Sequence, residues 1–145
     1  MIKKIAIVGS RRMSEYGKEV IRKLLIKNYE LRDKGFEVVT IKVFGCNSEV
    51  VKLSQKFNLK IKIYEGDNFE KLNEQVANYA DCLVIVEGGE RSGTLLLAQN
   101  FVEKGKRILV VPGRILDEGS FAPNWLAMQG AEMILDINDL TEVLQ

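Results

Sequence analysis

The chain has 145 residues, 46% of them hydrophobic and 28% charged, the make-up of one globular domain with room for a real core. It contains no histidine, which excludes Ser-His-Asp hydrolysis, imidazole acid-base work and most zinc chemistry. The net charge of +1 gives no global pull toward nucleic acid or an anionic membrane.

In chain order, Ile2 to Val8 reads as a short apolar strand ending at Gly9-Ser10. A helix is expected from Ser14, with Val20, Ile21, Leu24 and Leu25 on one side and a C-cap at Lys34-Gly35. Phe36 to Phe44 is the second strand, closed by Gly45. Cys46 falls in a loop, and Asn47 or Ser48 caps a helix that runs through Phe57. Leu59 to Tyr64 alternates strictly, with Lys60 and Lys62 on one face, as an edge strand does. Asn68 to Tyr79 is a helix. Cys82 to Val86 is wholly apolar, the pattern of a central parallel strand buried on both faces, and its cysteine reads as a small buried hydrophobe. A helix runs from Ser92-Gly93 to Lys104-Gly105, and Arg107 to Val111 is another buried strand, stopped by Pro112-Gly113. Gly119 to Pro123 reads as a loop, Asn124 to Met128 as a short helix, Glu132 to Leu135 as a brief strand and Asn138 to Leu144 as a closing helix.

Alternating short strands and helices imply an α/β domain, residues 1–145, with a mostly parallel sheet covered on both faces. Ligands of such sheets bind beyond the C-terminal ends of the strands, where strand order reverses. Three loops leave that edge with unusual composition. In the first, Gly9 permits close backbone approach, Ser10 adds a hydroxyl, and Arg11 and Arg12 add guanidinium forks suited to phosphate. An ordinary strand-to-helix turn is the competing reading, because neither a Walker loop nor a dinucleotide fingerprint is present. In the second, Gly88-Gly89 and Arg91 precede Ser92-Gly93-Thr94, whose amides and hydroxyls would form an anion cradle at a helix start, or a plain N-cap. Glu87 and Glu90 would repel phosphate if they faced it; orienting Arg91, meeting a ribose or binding a partner are the alternatives. In the third, Pro112-Gly113-Arg114 offers a rigid wall and one cation, with Asn124 placed to contact a base or hydroxyl. Trp125 reads as packing, and Tyr16-Gly17 as closing the first helix against the sheet.

Charge is unevenly spread. Residues 1–35 hold ten basic side chains against four acidic ones, while six acidic and no basic residues follow Arg114. That is either an uneven solvated surface or a basic face near the first strand and helix that attracts phosphate. Two isolated cysteines without histidine make neither a metal site nor a secreted disulfide scaffold. No run is long and apolar enough for a membrane span or a signal core, so the expected address is the cytoplasm.

These motifs together resemble one family. Gly9-Ser10-Arg11 after a strand, then Ser14-Glu15-Tyr16-Gly17, followed later by Ser92-Gly93-Thr94-Leu95 with Ala98, Val111-Pro112-Gly113 and Asn124-Trp125-Leu126 with Gly130-Ala131, are similar to the Rossmann-like domain of the DNA-processing protein A (Smf) family. The wider group includes the lonely guy phosphoribohydrolases. The resemblance spans nearly the whole chain. It implies a Rossmann-like three-layer α/β/α sandwich with a mostly parallel sheet of about five strands. It also implies binding of a phosphate-containing ligand, foremost single-stranded DNA, with a role in DNA uptake or recombination. A nucleotide or nucleotide-derived signal is the alternative ligand. The residues carried over as phosphate- or nucleotide-binding are Gly9, Ser10, Arg11, Arg12, Gly88, Gly89, Arg91, Ser92, Gly93, Thr94, Pro112, Gly113, Arg114 and Asn124. No cofactor, metal or membrane partner is expected, and helices rather than the lysine-bearing edge are the surface expected for any self-association.

The departures bear on function. The family's central stretch keeps Gly45 here but lacks its second glycine, its Asp and its His. The chain reads as a stand-alone, minimal version without the extra N- and C-terminal modules of many members. In the phosphoribohydrolases a catalytic Glu sits three residues after the Gly-Thr pair; here that position is Leu97, which can neither protonate a leaving base nor stabilise a cationic sugar. Glu87 or Glu90 would have to substitute. The balance favours a binding protein over an enzyme.

Overall fold

The computed structural model describes residues 2–28 and 34–140. Strands and helices alternate: β1 (Lys4–Val8), α1 (Glu15–Asn28), β2 (Glu37–Ile41), α2 (Cys46–Lys56), β3 (Lys60–Tyr64), α3 (Phe69–Tyr79), β4 (Cys82–Ile85), α4 (Gly93–Glu103), β5 (Arg107–Val110), α5 (Phe121–Met128) and β6 (Glu132–Met133). The sheet order is β3-β2-β1-β4-β5-β6, and every pairing is parallel. Among the described residues the sheet has six strands, the short β6 pairing with β5 through Leu109↔Glu132 and Val110↔Met133. Order reverses between β1 and β4, which opens a crevice at their C-terminal ends.

Alternation along each strand builds two cores. Ile5, Ile7, Cys82 and Val84 face one layer with Ile21 and Leu24 of α1 and Val50 and Leu53 of α2. Ala6, Val8, Leu83 and Ile85 face the other with Val76 of α3, Phe101 of α4 and Leu126 of α5. All four residues of β4 are buried, as a central parallel strand requires, whereas β3 is the lysine-bearing edge.

The departures from expectation are local. Cys46 is not in a loop but opens α2 and is fully buried. The cap of α2 is Gly45, at φ 81°, in place of Asn47 or Ser48. A Cβ there would lie 2.4 Å from the Ser10 carbonyl oxygen, so only glycine lets α2 dock on the first loop. Pro123 lies inside the first turn of α5, where proline is tolerated, after a 3-10 turn at Glu118–Ser120. Gly35 is left-handed as a C-cap would be, but residues 29–33 lie outside the described part, and so do residues 141–145, on which most of the closing helix expected over Asn138 to Leu144 falls. Among the described residues no helix is long and apolar enough to cross a membrane.

Candidate phosphate-binding site

The first loop is held from below by α2. The Gly9 N–H donates to Asn47 Oδ1 at 3.0 Å, and Asn47 Nδ2 donates to the Ile41 carbonyl at 2.9 Å. The Cys46 N–H donates to the Ser10 carbonyl at 3.0 Å. A Cβ on Gly9 would sit 2.6 Å from Cys46 Cβ, so glycine at this position serves close approach. The Arg12 N–H donates to Ser10 Oγ at 2.9 Å, a short turn that throws Arg11 and Arg12 outward, both exposed.

The second loop enters α4 through Ser92, whose Oγ accepts from the Thr94 N–H at 3.2 Å and from Thr94 Oγ1 at 2.8 Å. Gly88 is buried behind it. Its N–H donates to the Gly119 carbonyl and its own carbonyl accepts from the Ala122 N–H, each at 2.8 Å. A Cβ on Gly88 would lie 2.7 Å from Thr94 Oγ1, so glycine here lets the loop pack against the start of α4.

Between the two loops, over the strand reversal, lies a cavity of about 770 Å³. Gly9, Ser10, Arg11, Arg12, Gly89, Arg91, Ser92, Gly93 and Thr94 all line it. At the start of α4 the Ser92 N–H donates to the Gly89 carbonyl at 3.1 Å and the Thr94 N–H to Ser92 Oγ, which leaves the Gly93 N–H as the donor at the positive end of that helix. Glu90 and Glu118 also line the cavity, so its three arginines are partly offset. Arg12 reaches Glu118 at 3.7 Å across open solvent.

The third loop goes elsewhere. Gly113 and Arg114 line a second cavity of about 520 Å³, on the α1 side, and Pro112 lines neither. Arg12 and Glu118 line both cavities, so their pair forms the partition. Arg114 forks onto Asp117, at 2.9 and 3.2 Å, and this bonding holds its guanidinium above its ordinary range. Both ends of the Asn124 amide are spent on Gly113: Oδ1 accepts from its N–H at 3.2 Å and Nδ2 donates to its carbonyl at 3.0 Å. Asn124 thus clamps the third loop and lines neither cavity. Trp125 lines neither cavity. Tyr16 Oη donates to the Pro112 carbonyl at 2.7 Å and ties α1 to the third loop. Burial and then the Glu87 charge raise its phenol.

Glu87 is 4% exposed and neither orients Arg91 nor lines the first cavity. Its carboxylate accepts from the Ser14 N–H at 2.8 Å, Ser14 Oγ at 2.7 Å and Cys46 Sγ at 3.3 Å. Ser14 Oγ in turn accepts from the Gly17 N–H at 3.0 Å, so Glu87 anchors the start of α1. Burial, followed by the Glu87 charge, pushes the Cys46 thiol up and leaves it inert. Leu97 is buried and forms an apolar part of the first cavity's wall, with no carboxylate in its place.

Two lining residues were not anticipated. Phe69 opens α3 after its cap Asn68, is 42% exposed, and lies 5.5 Å beneath the Arg11 guanidinium. Asn73 is 8% exposed, and its amide has no hydrogen-bond partner among the described residues. The signal for both was present: an apolar residue at an exposed helix start, and a polar one inside the Leu72, Val76, Ala77 stripe.

The sequence matches the family described as DNA recombination-mediator protein A over residues 56–145. It is 26% identical to the DNA processing protein DprA of Bacillus subtilis over 98% of this chain and 59% of that protein. Its fold superposes on DprA from Streptococcus pneumoniae with a TM-score of 0.83 at 19% identity, covering 99% of this chain and 62% of the other. It superposes on Helicobacter pylori DNA processing protein A, a structure describing a single-stranded DNA binding mode, with a TM-score of 0.69 at 22% identity, covering 98% and 80%. The chain spans about three fifths of the length of the Bacillus and Streptococcus relatives.

Proposed function

The chain belongs to the DNA recombination-mediator protein A family, and from that premise we propose that it binds single-stranded DNA through the first cavity, as one Rossmann-like domain acting in DNA processing or recombination. One observation carries the reading: Arg11, Arg12, Arg91 and the first turn of α4 share a single cavity at the strand reversal. Guanidinium forks and helix-start amides both suit phosphate, and they grip a backbone without reading its sequence. Phe69 supplies an aromatic face of the kind on which bases of any identity stack. Arg114 and Asn124 stand apart from this binding, because neither lines the first cavity.

The test is titration of a labelled single-stranded oligonucleotide by anisotropy at two salt concentrations, with wild type and Arg11→Gln/Arg12→Gln. Binding that weakens with salt, at a slope reduced by about 0.7 for each arginine removed, supports the reading. A folded wild type that binds nothing at low salt overturns it.

The cavity's size favours one second reading. About 770 Å³ falls within the range of small-molecule sites, so a mononucleotide or nucleotide-derived signal would also be accommodated. Thermal stabilisation by a nucleotide, without binding of oligonucleotide, selects this alternative. Self-association belongs to the proposal as well: Phe121, Trp125 and Met128 form an exposed apolar stripe on α5, and sedimentation giving a one-chain mass would contradict it.

A further inference from the structure

Away from the cavity, the α3-facing side of the β3 edge carries alternating cations and rings. Lys60, Lys62 and Tyr64 share that face by the period of the strand. They meet Tyr79 from the end of α3 and Lys4 from the start of β1. The Lys4 ammonium lies 4.0 Å from the centroid of the Tyr79 ring and the Lys62 ammonium 4.5 Å from it. Lys62 is also 5.3 Å from the Tyr64 ring, and the two tyrosines meet edge to face at 6.2 Å. Glu37 accepts from Tyr79 Oη and lies 3.8 Å from Lys60. One buried carboxylate thus stands among three lysines. Asp81, nearby, accepts from the Lys3 and Lys4 N–H groups.

Edge lysines deter sheet-to-sheet pairing, and that accounts for Lys60 and Lys62 being charged. It does not account for two ammonium groups parked on one ring, nor for a second tyrosine beside them. Half-exposed rings interleaved with fixed cations are what single-stranded nucleic acid uses, rings for bases and ammonium groups for phosphates. Lys106, which donates to the carbonyls of Ala77, Asn78 and Ala80, is pushed down chiefly by burial, with Lys104 and Lys4 adding to this against the pull of Asp81. From Lys60 to Tyr64 the strand covers about 13 Å. The loop that follows leads to Phe69 at the mouth of the first cavity.

We propose that Lys4, Lys60, Lys62, Tyr64 and Tyr79 form a second contact track for single-stranded DNA, continuing outward along the β3 edge from the strand held in the first cavity. The inference rests on the reading of that cavity as the primary DNA site. It makes the track matter only for strands long enough to leave the cavity.

The experiment compares oligodeoxythymidylates of about four and about sixteen nucleotides. Each is titrated into wild type, Lys60→Gln/Lys62→Gln, and Lys52→Gln/Lys56→Gln, which removes the same charge from exposed positions of α2 on the opposite layer. The track predicts that Lys60→Gln/Lys62→Gln weakens the long strand about tenfold and reduces its salt slope by about 1.4. The short strand and the α2 variant should be unaffected. Unchanged long-strand binding in Lys60→Gln/Lys62→Gln, equal loss for both lengths, or equal loss in the α2 variant would overturn the track while leaving the cavity standing. A wild type that binds neither length overturns both.

Discussion

Replacing Gly17 by alanine is expected to destabilise the protein, against the usual sign of that substitution in a helix. Alanine in place of a helical glycine ordinarily gains up to about 1 kcal/mol. At Gly17 an added Cβ would sit 2.3 Å from Glu87 Oε1 and 2.5 Å from its Cδ. The carboxylate is the end of a flexible side chain, but it is buried and pinned by Ser14 and Cys46. Moving it breaks at least the two Ser14 bonds, and hydrogen bonds to a charged group are worth about 1.5 to 3 kcal/mol each. The net expectation is a loss of about 2 to 5 kcal/mol. Urea unfolding of wild type, Gly17→Ala, Glu87→Ala and the double variant measures it, since a chain of this length is suited to two-state treatment. In the Glu87→Ala background the added methyl has room, so Gly17→Ala should there be neutral or stabilising, and the cycle should show strong coupling. A Gly17→Ala variant that is more stable than wild type would refute the anchoring role of Glu87.

Other outcomes follow from single contacts. Asn124→Ala should cost about 1 to 3 kcal/mol in urea unfolding, because Gly113 loses both of its partners, yet leave oligonucleotide affinity unchanged. Lost affinity at full stability would mean that Asn124 touches the ligand. Glu118→Gln frees Arg12 from its exposed pair and should tighten oligonucleotide binding about twofold at low salt; weaker binding would contradict the partition. Cys46 and Cys82 are both fully buried, so a thiol reagent should react at neutral pH only as the protein unfolds. Burial, with Asp81 adding, pushes the Cys82 thiol up to about 12. The folded state therefore keeps a proton that the unfolded chain releases, and stability should fall as pH rises from the ordinary thiol range toward about 12. Stability that rises across that window would contradict the burial of Cys82.

The fold was legible where local pattern decided it. The apolar runs at Ile5 to Val8, Cys82 to Ile85 and Ile108 to Val110 read as strands, and Ser92-Gly93 marked the start of a helix. What escaped was set by distant partners. Cys46 looks like a loop residue until Ser10 and Gly9 are brought against it, because the start of α2 is fixed by that contact and not by a capping side chain. Arg114 read as a fourth phosphate cation, since the sequence does not say whether Asp117, three residues on, will fold back onto it. Glu87 posed the opposite problem. It stands next to the glycines that line the binding loop, yet it points down into the start of α1, and only the Ser14 contacts reveal this. Phe69 and Asn73 entered the site because α3 lies on the layer that closes the cavity from the β2 side, a fact of strand order.

The most direct test of the account is to follow backbone amide resonances while adding a short single-stranded oligonucleotide. The largest shifts should fall on Gly9 to Arg12 and on Gly89 to Thr94, with Gly93 moving as a helix-start donor to phosphate, while Gly113 and Arg114 stay nearly still. Binding that leaves Gly93 unmoved, or that centres on the Arg114 loop, would contradict the placement of the site.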